Sequence, residues 1–133
     1  HSMRHSGFFG FYGPAALRRE LGAAQSVLGG IAGGPPRFFR APMGIRNPML
    51  DPVLARLGLL YVTWTRRGFD TVARDPSVVL KRLIEGLAAG DILLLHDRRS
   101  VHGDPIVLTV LPALLEKLSA AGLKPVSLTT AMR

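Results

Sequence analysis

The chain of 133 residues contains no cysteine. It can therefore form neither a disulfide framework nor a thiolate metal site, which leaves histidine, aspartate and glutamate as its strong metal ligands. No segment approaches the roughly 18 consecutive apolar residues that a membrane-spanning helix needs. A secretory signal is also missing, but this says nothing about secretion because the chain has no initiator methionine and we expect it to be a fragment.

Acidic residues are scarce, since nine Asp and Glu stand against 17 Lys and Arg to give a formal net charge of +8. This balance could suit nucleic acid, an anionic membrane surface or an acidic glycan. The basic residues come in scattered pairs, without the interleaved aromatics that stack on bases. We therefore predict no nucleic-acid partner, and the plain alternative is a solvated basic surface.

Apolar residues recur at helical spacing in four segments. Proline near the first turn, a preceding capping residue and a following glycine mark the ends of these segments. The predicted helices are residues 14–28 ended by Gly29-Gly30, a helix from Pro48 capped by Asn47 and ended by Gly58, a helix from Asp75-Pro76 ended by Gly90, and a helix from Asp104-Pro105 to about Ala121.

Short apolar runs between these helices predict four strands, at residues 37–39, 59–64, 92–95 and 126–128. Alternation of strands and helices implies parallel strands joined by right-handed crossovers. We therefore predict an α/β fold, either a barrel or an open sheet. Four strands are too few to close a barrel, so we expect the chain to be part of a larger domain.

Several reactive side chains follow the predicted strands. Arg40, residues 64–70 and His96-Asp97 each come just after an apolar run. In parallel α/β folds the active site lies at the carboxyl ends of the strands. These residues are therefore expected to converge on one face.

Three segments carry the most specific signals: His1-Ser2-Met3-Arg4-His5, Arg40-Ala41-Pro42-Met43-Gly44 and Leu94-Leu95-His96. They match the His-(Ser/Thr)-x-x-His, Arg-x-Pro-x-Gly and Leu-x-His motifs of the NodB-type polysaccharide deacetylases, carbohydrate esterase family four. The chain resembles this family over nearly its whole length, with Asp70 similar to the aspartate of the family's fourth motif.

The resemblance implies a distorted (β/α) barrel of about seven strands, of which this chain would be the carboxyl-terminal part. Residues 1–133 would then be part of one polysaccharide deacetylase catalytic domain, the NodB homology domain. The family's first motif would be missing. Its paired aspartates serve as the catalytic base and the third metal ligand.

The resemblance also implies a role for each reactive side chain. His1 and His5 would bind Zn²⁺ or another divalent metal such as Co²⁺, their imidazoles meeting on one side of a helical turn. The metal would polarise the acetamide carbonyl and activate a water molecule. Arg40 would orient the base through a charge-assisted hydrogen bond. His96 would protonate the leaving amine, and Asp70 would hydrogen-bond His96 and keep it protonated until needed.

A second group of residues is implied to bind substrate. Leu94 would line a small apolar pocket for the acetyl methyl group. Pro42, Gly44 and Trp64 complete this group, with the tryptophan face stacking on a sugar ring. Met43 stands where the family often has an aromatic residue, so the sugar-binding surface departs from the family pattern.

Each assignment has a plain alternative. His1 could chelate metal through a free α-amine together with its imidazole, and Arg40 could simply bond a carbonyl at the end of a strand. Trp64 could be a core residue, since a tryptophan that ends a buried strand is more often core. Arg66-Arg67 are assigned to solvated surface rather than to an anionic substrate, and His102 is assigned to a loop.

The leading hypothesis is a metal-dependent hydrolase that removes acetyl groups from N-acetylated, or as a variant O-acetylated, polysaccharide such as chitin oligomers or peptidoglycan. We expect residues 1–133 alone to be inactive, because the base would be missing. A catalytically dead relative that binds glycan is the second hypothesis, and a basic module for anionic polymers is the third. Family habit favours a bacterial cell envelope, with no stable protein partner implied and membrane anchoring left open.

Overall fold

The computed structural model describes residues 1–97, 103 and 105–132. The chain divides into two compact units, His1–Thr63 and Trp64–Arg133. Each unit contains one pair of parallel strands together with helices, which confirms the predicted α/β class and the parallel pairing. In the described ranges no helix has both the length and the apolar character of a membrane span. Two predicted features, the His102 loop and the Asp104 cap, lie outside the described residues.

The first unit is built from two helices, one strand pair and two short 3₁₀ helices. Strand β1 pairs in parallel with β2, with Phe38 opposite Leu60 and Phe39 opposite Tyr61. The elements in chain order are a 3₁₀ turn at Phe9–Phe11, α1 at Pro14–Ala32, β1 at Phe38–Phe39, a 3₁₀ turn at Pro42–Gly44, α2 at Leu50–Arg56 and β2 at Leu60–Tyr61.

Helix α1 begins where the sequence predicts and ends later. Pro14 occupies the first turn, where its missing N–H costs no hydrogen bond. The predicted end at Gly29-Gly30 is wrong, because the helix continues through both glycines to Ala32. It stops at Gly33, which adopts a left-handed backbone with φ 73° and donates its N–H to the Gly29 carbonyl.

The core of the first unit lies between α1, α2 and the strand pair. Asn47 supports the start of α2, since its side-chain oxygen accepts the Met49 N–H at 2.8 Å and its amide donates to the Tyr12 carbonyl at 3.2 Å. The buried apolar residues of this core are Phe9, Leu17, Leu21, Phe39, Ala41, Leu50, Val53, Leu54 and Leu59.

The second unit contains a strand that the sequence did not predict. Residues 59–64 were predicted as one strand, but β2 covers only Leu60–Tyr61, and a separate strand follows a few residues later. This strand pairs in parallel with the next one, with Arg66 opposite Leu93 and Arg67 opposite Leu94. The elements are β3 at Arg66–Arg67, α3 at Pro76–Ile84, β4 at Leu93–Leu94, α4 at Val107–Ala120 and α5 at Leu128–Ala131.

Helices α3 and α4 enclose the core of the second unit. Asp75 caps α3 by accepting the Ser77 N–H at 2.8 Å, as the sequence predicts. The helix ends at Ile84, well before the predicted stop at Gly90. Its buried residues join those of α4 in one apolar cluster, formed by Val79, Leu83, Ile106, Val110, Leu114 and Leu118.

The predicted final strand at residues 126–128 is wrong. Ser127 instead caps the short helix α5, because its hydroxyl accepts the Thr130 N–H at 3.2 Å. A local side-chain bond to the backbone favours a helix start over extended pairing. The apolar residues of this segment therefore do not add a strand to the sheet.

One glycine fixes the packing of the segment after β3 against α3. A Cβ added at Gly68 would lie 2.5 Å from the Cγ1 atom of Val79. We expect Gly68→Ala to lower the free energy of unfolding by about 1–3 kcal/mol, because two packed elements must move apart. Gly22→Ala is the matched control. Gly22 lies inside α1 with no atom near the added methyl, so alanine should stabilise by about 0.5–1 kcal/mol.

Chemical denaturation of both variants, compared with the unchanged chain, checks this prediction. Equal midpoints for Gly68→Ala and the unchanged chain would contradict the packing argument.

Candidate active site

Two imidazoles meet near the start of the first unit. The rings of His1 and His5 lie edge to face, with centroids 4.7 Å apart and planes at 72°. The expected helical turn is wrong, because residues 1–5 are not helical and His5 has a left-handed backbone with φ 49°. Ser2 closes the turn by accepting the His5 N–H on its hydroxyl at 3.2 Å. We call residues 1–5 the histidine turn.

A buried carboxylate on α1 anchors the histidine turn. Glu20 accepts the backbone N–H of Arg4 at 3.1 Å on one oxygen and the Arg4 Nε at 2.6 Å on the other. The Glu20 side chain is only 4% exposed, whereas that of Arg4 is 65% exposed. The side-chain hydrogen bond to Glu20 raises the pKa of Arg4.

Sequence reasoning missed Glu20. Its signal was an acidic residue on the buried face of α1, between Leu17 and Leu21, where a lone charge needs a partner.

The α-amino group of His1 also belongs to this part of the unit. Burial lowers its pKa, and the positive charge of Arg40 lowers it further. Both effects favour the neutral amine, which is the form that binds metal. The alternative that His1 chelates a metal through its amine and imidazole together therefore stays open.

Arg40 and the residues after it form a tight turn at the end of β1. Arg40 is half-buried and takes part in none of the ion pairs within the described residues. Met43 has a left-handed backbone with φ 54°, and the Gly44 carbonyl accepts the Tyr61 hydroxyl at 3.4 Å. Pro42 is fully buried, so any part it has in substrate binding would be to shape the backbone of this turn.

The second unit brings a histidine and an aspartate into a two-point contact. Asp70 lies after β3 and His96 after β4, at the same end of two parallel strands. One Asp70 oxygen accepts the backbone N–H of His96 at 2.6 Å, and the other lies 3.0 Å from its Nδ1. The Asp70 side chain is 3% exposed and that of His96 is 32% exposed. Because Nδ1 is engaged, Nε2 is the ring nitrogen left for proton transfer.

The remaining predicted residues of this unit differ in how far they are buried. Leu94 is buried directly before Leu95 and His96, and Asp97 is exposed. Trp64 is half-buried beneath the Arg67 guanidinium, which lies 5.3 Å from the ring centroid.

The assignment of Arg66-Arg67 to solvated surface is wrong, because both residues form strand β3 and are half-buried. Arg66 bonds Asp91 through Nε at 2.6 Å and donates its two terminal nitrogens to the carbonyls of Glu85 and Gly86. These bonds fasten β3 to the segment between α3 and β4. The guanidinium of Arg66 and the hydroxyl of Thr65 lower the pKa of Asp91 to about 2.

Comparison with known proteins finds similarity between this chain and one group of enzymes. No protein-family model matches the chain. It is 32% identical over 79 residues to a chitooligosaccharide deacetylase of Azorhizobium caulinodans. The aligned residues are 59% of the chain and 38% of that protein. It is 28% identical to a family 4 carbohydrate esterase of Streptomyces lividans solved with acetate, with a TM-score of 0.81 over 92% of the chain and 60% of the esterase. The chain is similar to the family 4 carbohydrate esterases.

A second esterase gives the same result. A family 4 acetyl xylan esterase of Clostridium thermocellum, solved with a cobalt ion, is 26% identical with a TM-score of 0.84. The alignment covers 98% of the chain and 60% of that esterase. The chain therefore spans less than two thirds of the length of each of these proteins, and the family resemblance read from its motifs is confirmed.

The anchor of the histidine turn can be tested directly. Glu20→Ala removes the acceptor of the Arg4 N–H, so we expect faster hydrogen exchange at the Arg4 amide and a lower midpoint of denaturation. Glu116→Ala, at an exposed position of α4, is the control and should change the midpoint little. An unchanged exchange rate of the Arg4 amide in Glu20→Ala would show that the turn is held by other contacts.

The Arg66–Asp91 bond predicts acid sensitivity of the second unit. The folded pKa of Asp91, about 2, lies below the ordinary value of 3.8, so its stabilisation is present above about pH 4 and is lost towards pH 2. The difference in unfolding free energy between the unchanged chain and Asp91→Asn should shrink over this range. Denaturation curves at pH 5, 4, 3 and 2 measure it. Parallel pH profiles for the two proteins would refute the assignment.

Proposed function

We propose that this chain supplies metal-binding and proton-donating residues of a hydrolase that removes acetyl groups from N-acetylated glycans. The observation that carries the proposal is the pairing of His96 with the buried Asp70 carboxylate at the ends of β3 and β4. The relationship to family 4 carbohydrate esterases supports the reaction class.

His1 and His5 would hold the metal. Their rings are neighbours, and imidazole suits Zn²⁺ and Co²⁺, so the pair fits part of such a site. The described residues contain no group of three His, Cys, Asp or Glu that could hold an ion, so a third ligand would come from outside them. A divalent ion, when bound, supplies Lewis acidity towards an amide carbonyl and a water molecule.

His96 would act as the general acid. An amine leaves readily only when protonated, and an imidazolium can donate that proton from Nε2. Asp70 accepts hydrogen bonds from both the ring and the backbone of His96, which fixes the orientation of the ring.

Arg40 would orient the carboxylate that takes the proton from water. Its guanidinium has no carboxylate partner in the described part of the chain, which leaves it available for a base supplied from elsewhere. The turn that contains Pro42 and Gly44, together with Leu94 and Trp64, would contact the acetylated sugar.

Chitin oligomers and peptidoglycan are the proposed substrates. We propose removal of N-linked acetyl groups, with O-deacetylation as the variant, and action at a bacterial cell envelope. The relative from Azorhizobium caulinodans, a chitooligosaccharide deacetylase, supports the choice of an N-acetylated sugar.

A glycan-binding relative without turnover is the second candidate. Such a protein would bind the same sugars and release no acetate.

Cobalt titration followed by visible absorption tests the metal site. We expect His1→Ala and His5→Ala each to weaken Co²⁺ binding by more than about 100-fold, because a ligand is worth more than an outer-shell contact. His96→Ala is the control and should retain Co²⁺ affinity. A form with two residues added before His1 separates imidazole binding from α-amine chelation. Unchanged affinity in both His1→Ala and His5→Ala would overturn the assignment.

Acetate release from chitin oligomers and from peptidoglycan separates the two candidates. Release that a chelator stops and that His96→Ala lowers by about 100-fold or more would establish the hydrolase. Glycan binding without release, in the presence of bound metal, would favour the non-catalytic relative.

A further inference from the structure

Two arginines and two aromatic rings form a cluster beside the Asp70–His96 pair. The guanidinium of Arg67 lies 4.0 Å from the centroid of the Phe69 ring and 5.3 Å from that of Trp64. The guanidinium of Arg82, on α3, lies 5.5 Å from the centroid of Phe69. We call Trp64, Arg67, Phe69 and Arg82 the guanidinium cluster.

Of the two arginines in this cluster, Arg82 donates from one terminal nitrogen to the Gly68 carbonyl at 3.4 Å. Neither Arg67 nor Arg82 takes part in an ion pair with any described residue. The Nε atom of Arg67 is buried and has no hydrogen-bond acceptor within the described ranges. A buried polar group without a partner is costly, and in native proteins it commonly marks a bound ligand or water molecule.

In Arg66, the neighbouring residue of the same strand, each guanidinium nitrogen has a hydrogen-bond acceptor. Arg66 bonds Asp91 and the carbonyls of Glu85 and Gly86. Side chains alternate between the two faces of a strand, so Arg66 and Arg67 leave β3 in opposite directions. Arg66 is therefore used in holding the fold, whereas the Nε of Arg67 has no acceptor among the described residues.

The backbone places the cluster next to the proposed acid. Arg67 is opposite Leu94 in the strand register, two residues before His96. Phe69 directly precedes Asp70 and has a left-handed backbone with φ 59°. Its ring is 41% exposed.

The chemistry of the cluster selects an anionic ligand. A guanidinium that stacks on an aromatic face keeps its N–H groups directed outwards in its own plane, where a carboxylate can accept two of them. Neither guanidinium has an acidic partner in the part of the chain that the structure describes, and the net charge of the chain is +8; both facts favour a negatively charged ligand.

We propose that the guanidinium cluster binds the carboxylate of an acidic N-acetylated glycan, next to the sugar that is deacetylated at His96. This inference rests on the proposed function and adds a preference for sugars that carry a carboxyl group. Arg67 donates N–H groups to the carboxylate, and Arg82 supplies a second positive charge.

Binding of a matched pair of sugars tests the proposal. The probes are the disaccharide N-acetylglucosaminyl-N-acetylmuramic acid, which carries one carboxylate, and its methyl ester, which carries none. Affinity is measured by calorimetry, and the Nε–H signal of Arg67 is followed by NMR. We expect the acid to bind about tenfold more tightly than the ester and to shift the Arg67 signal.

Three variants separate the N–H donors of Arg67 from charge alone. Arg67→Gln should abolish the preference, so that the ratio of the affinities for acid and ester falls to about one. Arg67→Lys should restore little of the preference, because an ammonium lacks the paired N–H donors of a guanidinium. Lys117→Gln, at an exposed position of α4, removes the same charge and should keep the full preference. Amide spectra of each variant establish that it is folded.

Equal binding of acid and ester, binding of neither, or an equal loss in Lys117→Gln would overturn the proposal. Failure of the proposed function is read separately, from the cobalt titration of the His1 and His5 variants, which does not involve the guanidinium cluster.

Discussion

The buried carboxylate of Asp70 is the constraint on which the second unit's chemistry depends. Its two oxygens accept from the backbone and approach the ring of a single residue, His96. Such a contact needs two parallel strands whose ends lie side by side, which β3 and β4 provide. It also needs the segment after β3 to pass close against α3, which the missing side chain of Gly68 allows. The packing of the segment after β3 against α3 therefore helps to fix both the local fold and the position of Asp70 beside His96.

The residues with a left-handed backbone lie in or directly beside the sequence motifs. Three non-glycine residues of the described chain have a positive φ: His5, Met43 and Phe69. His5 lies in the histidine turn, Met43 in the turn after Arg40, and Phe69 directly before Asp70. Each such residue costs about 1–3 kcal/mol and persists only where surrounding contacts hold it. The hydrogen bond that the Ser2 hydroxyl accepts from the His5 N–H is a contact of this kind.

Arginine serves two different purposes within two consecutive residues of β3. Arg66 stabilises the fold, because its N–H groups donate to Asp91 and to two backbone carbonyls. Arg67 stacks on aromatic rings and keeps a buried Nε without an acceptor in the described chain. The alternation of strand side chains separates these purposes. A count of charges along the sequence treats both residues alike, so the distinction exists only in the folded chain.

The sequence by itself determined the elements that depend on local chemistry. Pro14 and Asp75 start helices where predicted, and parallel strands alternate with helices. The contact between Asp70 and His96 was implied by the resemblance to the deacetylase family. Tertiary structure decided everything that depends on a distant partner. Glu20 became an anchor because Arg4 lies across from it, and β3 became a strand because Leu93–Leu94 pairs with it. The histidine turn is not helical because Ser2 and Glu20 hold it otherwise. Periodicity reports which face of a segment is buried, whereas a hydrogen bond between residues far apart in the chain leaves no periodic trace.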